Sequence, residues 1–286
     1  MKDLLQIKAS APRALIDDVT LYLTENTPHG WQEDLTPDGT VVFTIYLENT
    51  TAAEAIVQGL AAQWSEVDVA RDTVENQEWA LAWREFFTPV HAGNVFTVLP
   101  PWLAAEAPTG RISILIEPKT AFGTGHHGTT ALCLTALAGL SQGGIVKDTG
   151  TFLDLGTGSG ILGLGCCLLG LHGIGLDIDP LAIENAVENK ILNKVGDAFS
   201  LDVGSLDTLP LDQTFDLVLA NILAGPLKSM APALVKRVAP GGSLVLSGIL
   251  NEQADAVVEA YTTQGLPEPG RESQGEWTAL IWERLG

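Results

Sequence analysis

The sequence predicts a doubly wound α/β domain on a mostly parallel sheet, preceded by a smaller α+β domain of ferredoxin-like layout. Three observations carry this. From residue 94 onward, short apolar runs alternate with longer stretches apolar at helical spacing, as in repeated βα units. The run FLDLGTGSGILG at 152–163 takes an apolar strand into a glycine turn and then into a small-residue helix. The first 72 residues follow a separate β-α-β-β-α-β order.

Residues 1–72 read as one unit. A strand at 4–9 precedes a helix opened by Pro12, with Leu15, Val19 and Leu23 at steps of four. Residues 29–34 give only a short, ambiguous signal. Thr36-Pro37-Asp38-Gly39 is a turn before a strand at 41–47. Thr50 or Thr51 should cap a second helix that turns Ala55, Ile56, Leu60 and Trp64 inward, and 67–70 closes the unit. The basic and aromatic strand signature of an RNA-binding module is missing, so a protein-binding module is the expectation. Residues 73–93 form a helical linker, with Trp79, Trp83, Phe86 and Phe87 on one face as inter-domain packing.

The domain at 94–286 begins with a strand at 111–117. A helix at 129–140 follows, with Leu132, Ala136, Leu137 and Leu140 inward. Strands are expected at 152–155, 172–176, 215–220, 243–249 and 277–283, and helices at 180–193, 226–238 and 251–264. Ligands of such sheets bind beyond the carboxyl ends of the strands. Asp154, Asp177 and Asn221 all fall at such ends.

Composition narrows the function. Fifteen Lys plus Arg against 35 Asp plus Glu give a net charge of −20, which disfavours naked nucleic acid and either draws in a basic partner or serves solubility or a salty environment alone. The N-terminus lacks a signal peptide, and no apolar run is long enough to cross a bilayer, so a soluble, cytoplasmic protein is expected. Cys133, Cys166 and Cys167 offer neither a disulfide framework nor zinc spacing. His126 and His127 are adjacent and lack a third ligand at suitable spacing, so no metal is expected.

The glycines fit two templates. Gly158-x-Gly160-x-x-Gly163, with Asp177 following Gly160 by 17 positions, satisfies a dinucleotide fingerprint. Asp154, two residues before Gly156, would face a pyrophosphate with its own negative charge and suits a ligand with a cationic head instead. Asp177 can accept both ribose hydroxyls of an adenosine, Asp179 caps the helix opened by Pro180, and the Asn221 amide offers a donor and an acceptor.

Asp-Leu-Gly-x-Gly-x-Gly at 154–160 resembles motif I of class I methyltransferases that use S-adenosyl-L-methionine. The stretch AFGTGHHGTT at 121–130 closely resembles the loop of the PrmA family, which methylates large-subunit ribosomal protein eleven. The likeness continues through 154–160, 175–180, 220–227 and 246–250. It is strong over roughly 79–250 and weaker in the first domain. The resemblance implies Thr130, Gly156, Asp177 and Asn221 as cofactor contacts, beside Asp154, Gly158 and Gly160 of the turn. It also implies a small first domain that captures the ribosomal protein, with methyl transfer to lysine or N-terminal amines.

Such a transfer is a displacement by a neutral amine. Deprotonating a lysine of pKa about 10.4 at pH 7 costs roughly 4–5 kcal/mol, and an α-amine of pKa about 8 roughly 1–1.5 kcal/mol. No residue stands out as a general base. The rival readings are a nicotinamide-dependent oxidoreductase, which tolerates loss of Asp154, and a non-catalytic ribosome-associated binder, which leaves the Asp154, Asp177 and Asn221 set unexplained.

Overall fold

The structure, a computed structural model, describes residues 4–27, 31–36, 40–47, 50–74, 88–117 and 127–285. The chain divides into two compact units, 1–87 and 88–286. The turn at 37–39, the aromatic stripe at 79–87 and the loop at 118–126 with its His126 lie outside the described residues.

In the first unit, β1 (Leu4–Ala11), α1 (Ile16–Asn26), β2 (Gln32–Leu35), β3 (Val41–Leu47), α2 (Thr50–Gln63) and β4 (Asp68–Val74) follow in order. The sheet runs β2-β3-β1-β4, with β1 antiparallel to both β3 and β4. Ile7, Phe43 and Ile45 from the sheet pack with Val19 and Leu23 of α1 and Ile56 and Leu60 of α2. Two expectations change. Helix α2 begins at Thr50, so Thr50 and Thr51 lie within it. Ala53 is buried instead of Ala55, because it shares the stripe of Ile56 and Leu60.

The second unit opens with β5 (Val90–Ala92), β6 (Phe96–Leu99) and β7 (Ile112–Leu115), which form their own three-stranded sheet. The strand expected at 111–117 is therefore shorter and stands apart from the main sheet. Then come α3 (Gly128–Gln142), β8 (Thr151–Leu155), α4 (Ile161–Leu168), β9 (His172–Asp177), α5 (Pro180–Asn193), β10 (Phe199–Val203), β11 (Phe215–Asn221), α6 (Ala224–Val235), β12 (Val238–Leu250), α7 (Ala254–Thr262), β13 (Gly270–Gln274) and β14 (Trp277–Leu285). The main sheet has seven strands in the order β10-β9-β8-β11-β12-β14-β13. Its first five strands are parallel, and β14 runs antiparallel to β12.

Strand alternation sorts the two faces. Phe152 of β8 packs with Cys133, Leu137 and Phe199 in one core, and Leu153 and Leu155 pack with Leu176, Val218 and Leu246 in the other. Two features fix the sheet's working edge. Gly163 lies so close to Phe199 that any Cβ would collide with the ring, which brings α4 tight against β10. The buried Arg237 guanidinium donates to the carbonyls of Leu206, Leu209, Pro210 and Gln213, and so pins the chain between β10 and β11.

Candidate functional site

At the carboxyl end of the parallel strands lies a cavity of about 590 Å³. Its floor is the turn after β8, where Gly156 and Gly158 adopt φ of 72° and 54°. A side chain at Gly156 would strike Ile222, so glycine serves both conformation and space there. Asp177, the last residue of β9, borders the cavity. Its Oδ2 accepts from the Gly158 N–H at 2.9 Å and its Oδ1 from the Asp179 N–H at 3.0 Å. A carboxylate has about four lone-pair sites, so Asp177 keeps acceptor capacity for hydroxyl groups of a ligand. Asp179 caps α5 as its sequence position suggests, accepting from the Leu181 N–H at 2.9 Å.

Asn221 ends β11 and also borders the cavity. Its Nδ2 reaches Thr130 Oγ1 only at 3.5 Å, and its Oδ1 is enclosed with no hydrogen-bond partner among the described residues. A buried acceptor left unmatched is costly. Around Asn221 the lining is apolar: Ile222, Leu223, Pro226 and Met230.

Four of the expected residues, Gly156, Gly158, Asp177 and Asn221, meet at this cavity; Thr130, Asp154 and Gly160 do not line it. Thr130 is wholly buried in the first turn of α3, and Gly160 starts α4 with φ of 82°. Asp154 departs most from expectation. Alternation along β8 turns it to the Phe152 side of the sheet, away from Leu155, which lines the cavity. It is 0% exposed, accepts from Thr157 Oγ1 at 2.6 Å and the Gly163 N–H at 3.0 Å, and its Oδ1 has no hydrogen-bond partner among the described residues. Burial, with a smaller contribution from the Asp177 charge, pushes its pKa up to about 6 against those two bonds. Asp154 thus braces the turn from below and presents no carboxylate to a cationic ligand head.

The structure adds residues that periodicity could not find. Ser205 and Gly204 follow β10, which carries little apolar pattern. Trp277 reaches the cavity because β14 is antiparallel and pairs Trp277 with Leu250, at the carboxyl end of β12. The His127 ring, which caps α3 through Nδ1, packs against it at 5.0 Å between centroids. Among the described residues no group of His, Cys, Asp and Glu could hold a metal ion.

The family profile described as ribosomal protein L11 methyltransferase (PrmA) matches residues 5–284. A ribosomal protein L11 methyltransferase of Pelobacter propionicus is 40% identical over 74% of this chain and 68% of its own length. That of Geotalea uraniireducens is 33% identical over 96% of each chain. The crystal structure of a ribosomal protein L11 methylase from Lactobacillus delbrueckii subsp. bulgaricus superposes with a TM-score of 0.61 at 28% identity, covering 69% of this chain and 99% of the other.

Proposed function

The chain belongs to the ribosomal protein L11 methyltransferase (PrmA) family, and from that premise we propose that it methylates amine nitrogens of that ribosomal protein, on lysine side chains, the N-terminus or both. The enzyme is an S-adenosylmethionine-dependent methyltransferase, and neither the nicotinamide nor the non-catalytic reading finds support among its relatives.

The cavity suits that donor. Asp177 supplies acceptors for ribose hydroxyls, and the bare main chain at Gly156 and Gly158 admits close approach of a ligand. When bound, S-adenosylmethionine supplies a methyl group already activated on a sulfonium. The protein's own task is then alignment and desolvation. The observation that carries the reading is the meeting of Asp177, Asn221 and the glycine turn at one cavity at the carboxyl ends of the strands. The Asn221 amide, at the edge of that cavity, orients the incoming amine so that the nitrogen lone pair faces the methyl group. Ile222, Leu223, Pro226 and Met230 give the approach an apolar wall, and apolar surroundings favour the neutral amine that the reaction needs.

We assign capture of the ribosomal protein to the first unit, without a direct nucleic-acid contact, since 35 acidic residues outweigh 15 basic ones. No helix among the described residues is long and apolar enough to cross a membrane, and a cytoplasmic site of action fits a ribosomal substrate. The test is transfer of labelled methyl from S-adenosylmethionine to the purified ribosomal protein. Incorporation that is lost in Asn221→Ala supports the reading, and no incorporation by the native enzyme overturns it.

A further inference from the structure

Helix α5 carries asparagines at 185, 189 and 193, one per turn, on a buried side of the helix. Two of them grip main chain outside the helix. Asn193 Oδ1 accepts from the Leu115 N–H at 2.8 Å and its Nδ2 donates to the Leu115 carbonyl at 2.6 Å. Strand β7 is the edge of its three-stranded sheet, so this carboxamide pairs with its open side as a neighbouring strand would. Asn189 is wholly buried and does more. Its Oδ1 accepts from the Glu117 N–H at 2.9 Å, and its Nδ2 donates to the Ser159 carbonyl at 2.9 Å.

Ser159 sits between Gly158 and Gly160, both at positive φ, in a turn with little side-chain mass to hold its shape. Asp177 restrains that turn at Gly158 from the cavity side. Asn189 restrains it one residue later from behind, and ties it to the chain just beyond β7.

We infer that Asn189 is a positioning residue: its carboxamide sets the height of the glycine turn at Ser159 and so keeps the floor of the cavity in register for the methyl donor. This rests on the reading of the cavity as the S-adenosylmethionine site. Only a group that donates and accepts at once can bridge Glu117 N–H and Ser159 carbonyl from one side-chain position, which is what a primary amide offers. Asn193 is its natural control, since it sits on the same face and grips the end of β7, two residues before Glu117, without touching the turn.

The test is calorimetric titration of S-adenosylhomocysteine into the full chain, with steady-state kinetics and thermal unfolding on the same samples. The native enzyme binds; Asn189→Ala binds about tenfold more weakly, the loss of one well-placed hydrogen bond. Its KM for S-adenosylmethionine rises while kcat holds within about twofold. Asn193→Ala loses thermal stability without weakening binding. If Asn189→Ala does not fold, Asn189→Ser takes its place, because one hydroxyl cannot span both contacts. Native affinity in the Asn189 variant overturns the inference, as does an equal weakening in Asn193→Ala. Failure of the native enzyme to bind overturns the cavity reading itself, and the inference with it.

Discussion

The Gly158 N–H donates to Asp177 Oδ2 at 2.9 Å, joining the glycine turn after β8 to the end of the neighbouring strand β9. The acid therefore has two tasks, holding the turn and facing the cavity. Removing it costs on both counts. Asp177→Ala should weaken S-adenosylhomocysteine binding by about 1.5–3 kcal/mol, the range for losing a charged hydrogen-bond partner. Asp177→Asn, which keeps one acceptor oxygen, should lose less. An unchanged dissociation constant in Asp177→Ala removes the residue from the site.

Asp154 leads to a statement about pH. Its pKa is about 6 in the fold against an ordinary 3.8, and burial is the main cause. The folded state thus holds its proton to higher pH than the unfolded chain does. Stability from this group is full below pH 3.8 and is lost as pH rises toward 6. Asp154→Asn has no such titration and keeps an oxygen to accept from Thr157 and Gly163. Between pH 5 and pH 7 the native protein should lose about 1 kcal/mol relative to this variant in urea unfolding. A difference that stays constant with pH shows Asp154 to be ionised throughout.

The central strands were legible because burial on both faces leaves continuous apolar runs, as in 217–220, and Pro180 with Asp179 marked α5 to the residue. The sheet's edges were not. Strand β13, Gly-Arg-Glu-Ser-Gln, is mostly exposed, and β10 buries only Phe199 fully, so neither carries an apolar signal. The site divides the same way. Asp177 and Asn221 could be read from their places at strand ends. Trp277 depends on an antiparallel insertion, and His127 on a helix cap that meets it in space. Asp154 had the right position in the sequence and faces the wrong side, because one step along a strand reverses the side chain.

The two units give a prediction about division of labour. Among the described residues, those that line the cavity run from 127 to 277, within the second unit. A protein made of residues 88–286 should bind S-adenosylhomocysteine with native affinity yet methylate the intact ribosomal protein with a much lower kcat/KM. Full kcat/KM in the truncated enzyme would assign recognition to the catalytic unit instead.

The last prediction concerns charge. At −20, the protein should steer a basic substrate toward itself, and the steering is screened over about 8–10 Å at ordinary ionic strength. Raising salt from low to moderate should lower kcat/KM for the ribosomal protein, chiefly by slowing association. The affinity for S-adenosylmethionine should change much less, since among the described residues that line the cavity only Asp177 is acidic. An acidic surface that serves solubility alone gives no such contrast. Stopped-flow association at several salt concentrations separates the two, and an association rate that ignores salt refutes steering.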